Sequence, residues 1–272
     1  MDIKVADIAK LRKMTGAGMM DCKNALIEAE GDFDRAQDLI REKGKLIASK
    51  RADRSATEGC VLSHIAEGKA YMICLACETD FVAKNADFVA STQELLDVAV
   101  ANDAADLEAL NACVVNGSTV ADIVTAKSGQ TGEKVEIVSY NRIEAPYCFA
   151  YVHMNNKLGS LIGFDKEVSE EVGKDVAMQA TAMAPVSISQ ADCPAEVIAK
   201  EHEIGLEQAR LEGKPEAILA KIADGKVNKF LSENTLLNQS LVKNNKLTVE
   251  AYIKQANPEA TVIAYKRFSL ND

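Results

Sequence analysis

The sequence has 272 residues, room for one large domain or two to three small ones. Hydrophobic residues make up 47% and charged residues 26%, a globular mixture that excludes a disordered or collagen-like chain. Lys plus Arg number 31 against 41 Asp plus Glu, and a net charge of −10 argues against a surface that grips phosphate backbones.

No apolar run approaches the roughly eighteen residues of a membrane span, and Met1-Asp2-Ile3-Lys4-Val5 lacks the apolar core of a signal peptide. Seven cysteines, Cys22, Cys60, Cys74, Cys77, Cys113, Cys148 and Cys193, are an odd number without disulfide-framework spacing. Together these features predict a cytoplasmic protein whose thiols stay reduced, with neither nucleic acid nor membrane as a direct partner.

Residues 1–44 read as a three-helix module. Val5, Ile8 and Leu11 share a helical face, Thr15-Gly16-Ala17-Gly18 breaks the pattern, and Cys22, Leu26 and Ala29 resume it. Asp32 is an N-cap candidate for a third helix, Phe33 through Lys43, with Gly44 as its stop. The basic, small-residue segment 45–56 reads as a helical or flexible linker.

From Cys60 the period becomes strand-like. Cys60 to Ile65, a turn at Glu67-Gly68 and Ala70 to Leu75 form a hairpin signature, and Phe88, Thr92, Leu95 and Ala99 mark a helix. Ala104 to Lys127 is expected to be helical with an interruption at Gly117, and Val135 to Tyr140 to open a second sheet. Tyr147 to Met154, a turn at Asn155-Asn156, Lys157 to Phe164 and a helix from Ser169 to Ala182 then repeat strand, turn, strand, helix. The repetition predicts two similar α+β subdomains, over residues 57–142 and 143–272. Two amphipathic segments between Pro194 and Glu233, separated by Glu212-Gly213-Lys214-Pro215, predict a helical hairpin inserted in the second, about residues 190–233. A helix around Val249 to Gln255 and a strand from Thr261 to Phe268 complete the pattern.

Cys74-x-x-Cys77 has the spacing of a redox centre or half a zinc site, yet it lies inside an apolar strand, not at a helix start. His64, His153 and His202 are isolated, so two packed thiols are the preferred reading. Gly16-x-Gly18 lacks the preceding strand and the Lys-Ser/Thr of a phosphate loop and reads as a tight turn. Met19-Met20 beside it suits either a core or an adaptable binding surface. No nucleophile or acid-base pair assembles at a useful spacing.

Glu78-Thr79-Asp80-Phe81-Val82-Ala83-Lys84-Asn85 joins a buried strand to a helix, which Thr79 or Asp80 can cap. On pattern alone Phe81 reads first as a hydrophobic staple. The alternative is an exposed anchor for a partner's pocket. The turn at the same place in the second repeat, Asp165-Lys166-Glu167-Val168-Ser169, carries no aromatic.

Leu11-Arg12-Lys13-Met14-Thr15-Gly16-Ala17-Gly18-Met19-Met20-Asp21-Cys22-Lys23-Asn24-Ala25-Leu26 and Thr79-Asp80-Phe81-Val82-Ala83-Lys84-Asn85 closely resemble the two hallmark motifs of bacterial translation elongation factor Ts. The resemblance extends through Gly213-Lys214-Pro215, Phe230 and Leu236-Leu237-Asn238-Gln239 and so covers nearly the whole chain. It implies an α+β protein with an N-terminal ubiquitin-associated-like three-helix domain, two similar core subdomains and an inserted coiled-coil hairpin.

It also implies a guanine nucleotide exchange factor for elongation factor Tu, acting by binding and not by covalent chemistry. Thr79, Asp80, Phe81 and Val82 would disturb the Mg²⁺ and phosphate site of the partner's GDP form so that GDP leaves. Arg12, Met19 and Met20 would dock the N-terminal module on the same GTPase domain. The resemblance implies no cofactor of the protein's own, since Mg²⁺ and GDP belong to the partner. It leaves a one-to-one complex, a homodimer and a dimer of heterodimers open, and it stops short of a C-terminal helical module that some members carry.

Overall fold

The computed structural model describes residues 3–272; Met1 and Asp2 of the N-terminal pentapeptide lie outside it. The chain divides into two compact units. One comprises the chain up to Leu62, Ile73–Asn141 and Leu270–Asp272, and the other Ser63–Met72 and Arg142–Ser269.

The first unit begins with α1 (Val5–Thr15), α2 (Met19–Glu28) and α3 (Phe33–Lys50). Ile8, Leu11, Cys22, Leu26 and Ala36 form their common core, as the helical spacing requires. Gly16 closes α1 in the left-handed conformation, and the Asp32 carboxylate caps α3 by accepting from the Asp34 and Arg35 amides. The third helix does not stop at Gly44. It runs through that glycine to Lys50, so the first half of the expected linker is helix. An interior glycine costs a helix about 1 kcal/mol relative to alanine, and packing explains its presence. A Cβ on Gly129, in the helix that spans Val120–Thr131, would come within 2.6 Å of the Gly44 Cα, so the two glycines let the helix backbones touch.

After the turn that follows α3 come β1 (Glu58–Ala66), β2 (Lys69–Cys77), a single helical turn α4 (Asp80–Ala83), α5 (Ala86–Ala101) and α6 (Leu107–Ala112). The stretch from Ala104 to Lys127, expected to be helical with an interruption at Gly117, is broken there by a miniature hairpin, β3 (Val114–Val115) and β4 (Ser118–Thr119), before α7 (Val120–Thr131). Its two-residue loop, Asn116-Gly117, has both φ angles positive, 51° and 82°, the conformation for which Asn-Gly is favoured in tight hairpins. The following strand, β5 (Glu136–Glu144), does not open a new sheet. It pairs beside β2 and gives the order β1-β2-β5. As the central strand, β2 is buried continuously from Ala70 to Cys77.

The second unit holds β6 (Tyr147–Val152), β7 (Leu158–Phe164), α8 (Glu170–Met183), α9 (Ala195–Leu211), α10 (Glu216–Asn234), β8 (Ser240–Leu241), β9 (Asn244–Thr248), α11 (Val249–Ala256) and β10 (Val262–Ser269). Its main sheet has the order β10-β7-β6, with Phe149 opposite Ile162 and Ile162 opposite Tyr265. In both sheets the second strand of a hairpin is central and a strand returning from beyond a helix pairs on its free side. Residues Ile162, Phe164, Val172, Val176 and Ala180 build the core between sheet and α8, joined by Leu236, Val249 and Ile253. Helices α9 and α10 pair antiparallel, with a Cβ on Gly205 falling 3.1 Å from the Ala223 Cα and Lys226 Nζ donating to Gln208 Oε1 at 2.8 Å. No helix among the described residues is long and apolar enough to cross a membrane.

Candidate functional site

The segment from Glu78 to Asn85 is a corner made by two consecutive caps. Thr79 has extended backbone, φ −123° and ψ 152°, and its Oγ1 accepts from the Val82 amide at 3.5 Å to start α4. Six residues after Thr79, Asn85 Oδ1 accepts from the Asp87 amide at 2.8 Å and starts α5. One helical turn is trapped between them. Asp80 occupies its first position, where the helix dipole favours a negative charge, and pairs with Lys84 at 2.7 Å. Ala83 faces inward and is buried, Val82 is half-buried, and Phe81 stands 85% exposed. A staple residue precedes the N-cap, and here that position belongs to Glu78. Phe81 is the second residue of the helix, where the side chain points outward.

The corner is held from beneath by two exchanged carboxylates. Glu133, in the loop between α7 and β5, accepts from the Glu78 and Thr79 amides at 3.0 Å each through Oε2 and from the Thr79 hydroxyl at 2.6 Å through Oε1. In return the Glu78 carboxylate accepts from the Lys134 amide at 2.6 Å and from Arg51 Nη1, 2.8 Å from both of its oxygens. The Lys134 amide first, and then the Arg51 guanidinium, hold the Glu78 carboxyl below the ordinary carboxylate range against the opposing effect of burial. Charge-assisted hydrogen bonds of this kind are roughly twice as strong as neutral ones.

Cys77 lies directly under the corner and donates its S–H to the Thr79 carbonyl at 3.3 Å. Burial, and next the charge of Glu133, push its thiol up to about 12. Burial pushes the Cys74 thiol up further. Both sulfurs therefore stay protonated, whereas a redox nucleophile needs a thiolate. Among the described residues no group of three or more His, Cys, Asp or Glu side chains could hold a metal ion.

The other sequence-derived residues flank the α1–α2 turn. Arg12 is exposed in the last turn of α1, and Met19 and Met20, 40% and 64% exposed, open α2. The thioethers thus belong to the surface while Cys22 and Leu26, on the inner face of the same helix, fill the core. Gln130 of α7 ties this turn down by donating to the Thr15 carbonyl at 2.6 Å. Arg12, Met19 and Met20 and the Thr79–Val82 corner lie on separate elements of the same unit.

Glu133 and Arg51 escaped the sequence reading. They stand 54 and 28 positions from Thr79, too far for any local period to connect them. The one signal was Gly132, which ends α7 in the left-handed conformation and turns the chain toward the corner.

The clasped turn thus presents an exposed aromatic side chain at its tip. The family model described as Elongation factor TS matches residues 78–272. The chain is 46% identical to Elongation factor Ts of Azobacteroides pseudotrichonymphae and 45% identical to that of Porphyromonas gingivalis, in each case over 100% of this chain and 99% of the relative. Elongation factor Ts of Christiangramia forsetii is 44% identical over 98% of both chains. The chain belongs to the elongation factor Ts family, the non-enzymatic guanine nucleotide exchange factors of translation elongation that act on elongation factor Tu.

Proposed function

We propose that this protein accelerates GDP release from elongation factor Tu by inserting the Thr79–Val82 corner beside the phosphate side of the bound nucleotide. The observation that supports this most directly is Phe81, 85% exposed on a turn that two carboxylates immobilise. Burying such a side chain is worth about 1.5–3 kcal/mol, which the isolated protein forgoes and a pocket on the partner supplies. Because the corner is already ordered, little of that gain is lost to immobilising it on docking. Phe81 and Asp80 then displace the phosphate loop and the Mg²⁺ of the GTPase, and GDP loses contacts stronger than those gained. GTP enters the emptied site.

Arg12, Met19 and Met20 dock the three-helix module, the ubiquitin-associated-like part, on the same GTPase domain. The second unit, with α9–α10 as its coiled-coil hairpin, reaches the GTPase's other domains or a second copy of the protein. Linkage makes the action reciprocal: the factor by which the protein weakens GDP is the factor by which GDP weakens the protein. The test is release of fluorescent GDP from elongation factor Tu, with and without this protein. Acceleration together with an equal weakening of the protein's own binding by GDP supports the reading. An unchanged release rate overturns it.

A further inference from the structure

We infer that Glu133 is the positioning residue that sets Phe81 for nucleotide exchange, a role that rests on the function proposed above. A threonine hydroxyl has one proton to give. Thr79 commits it to Glu133 Oε1 at 2.6 Å, which leaves the oxygen lone pairs facing the Val82 amide and keeps Oγ1 an acceptor for the cap. The second carboxylate oxygen takes the amides of Glu78 and Thr79, the last two before the helix starts, and so fixes the backbone on either side of the capping residue. Phe81 follows two residues later. Its direction is therefore decided by a carboxylate that has three donors and arrives from another part of the chain.

Glu133 is itself held. Its amide donates to Thr131 Oγ1 at 3.2 Å, and the next amide, of Lys134, is engaged by Glu78. The Cys77 thiol, buried below, donates to the Thr79 carbonyl and closes the remaining side of the same residue. Residues 78–79 and 133–134 thus hold each other reciprocally, each side chain accepting from the other segment's backbone. Without Glu133 the Thr79 hydroxyl is free to rotate and two strand-end amides lose their acceptor. The aromatic stays attached but loses its fixed direction, and it must then be ordered within the exchange step, after the protein has docked through its other contacts. The expected signature is a slower exchange step at saturation, with little change in how much protein is needed to reach it.

The experiment is a titration of fluorescent-GDP release from elongation factor Tu with the wild-type protein, Glu133→Gln, Glu133→Ala, Phe81→Ala and the double variant Phe81→Ala/Glu133→Ala, each checked by thermal unfolding. Loss of a charge-assisted set predicts a saturating rate about tenfold lower for Glu133→Ala. The half-saturating concentration stays within about threefold. Glu133→Gln, which keeps one acceptor oxygen, falls between Glu133→Ala and wild type. The double variant is no slower than Phe81→Ala, because a residue that acts through Phe81 has nothing to position once the ring is gone. A wild-type saturating rate for Glu133→Ala overturns the inference, as does a double variant slower than Phe81→Ala by the full tenfold. Should Glu133→Ala fail to fold, Glu133→Gln and Thr79→Val complete the same cycle. A wild-type rate for Phe81→Ala alone marks failure of the Phe81 reading, and slow release by Glu133→Ala beside it assigns Glu133 a different role and overturns the positioning inference separately.

Discussion

The strand-to-helix turns that follow β2 and β7 begin alike and treat their hydrophobic residue in opposite ways. In the first, Thr79 caps α4 by accepting from Val82 three residues on; in the second, Ser169 caps α8 by accepting from Val172 at 3.3 Å. Immediately before the cap the second turn has Val168, 8% exposed within the core that also holds Val172, while the first has the ion-paired Glu78. Two positions after the cap the relation reverses, with Phe81 exposed in the first turn and Glu171 in the second. The second turn is fastened by its own neighbours, Asp165 accepting from the Thr261 amide at 2.7 Å and Asn257 donating to the Glu167 carbonyl at 2.9 Å. The difference teaches that the cap builds the corner, and the residue placed beside it decides whether the corner buries its hydrophobic side chain in the fold or leaves it exposed.

Placing the same aspartate in both turns gives the largest contrast. Val168→Asp buries a carboxylate without a partner and should destabilise the protein by about 3 kcal/mol or more, seen as a lowered unfolding midpoint. Phe81→Asp should leave stability within about 0.5 kcal/mol, as for an exposed site, and nearly abolish the acceleration of GDP release. Removing the caps gives a smaller effect. Thr79→Val and Ser169→Ala should each cost about 1 kcal/mol in denaturant unfolding, but only the first should slow exchange.

Acid separates the turns more gently. The folded Glu78 carboxyl is depressed below its usual value of 4.5, so its stabilisation is complete above that pH and disappears as the pH falls through the lowered value. The unfolding midpoints of wild type and Glu78→Gln should therefore differ near neutrality and converge on acidification. Least conspicuous is the behaviour of the thiols. Cys74 and Cys77 should resist alkylation in the folded protein at neutral pH and react only after unfolding, which peptide mapping by mass spectrometry will show.

Sequence pattern revealed the first corner because every ingredient is local. The apolar run ending at Cys77, the cap candidates Thr79 and Asp80 and the helical period from Phe88 all lie within a few residues of one another, although the second cap at Asn85 was not read from them. It favoured a staple for Phe81, which the exposed ring contradicts, because the choice depends on counting from the true N-cap. It could not find Glu133, whose link to Thr79 exists only after α7 and β5 have been placed. Gly44 misled for a related reason. A glycine after a basic turn resembles a helix stop, and only the facing Gly129 shows that it serves close packing instead. At Asn116-Gly117 the turn chemistry was present in the sequence, but the alanines around it suggested helix. The return of β5 to the first sheet is a tertiary choice with no local signature.

The most direct test of this account is the rate of fluorescent-GDP release from elongation factor Tu at saturating Phe81→Ala, measured beside its unfolding midpoint. Truncating an anchor worth about 2 kcal/mol predicts release about thirtyfold slower than with wild type and an unchanged midpoint. Release at the wild-type rate, or a midpoint lowered as for a core residue, would contradict it.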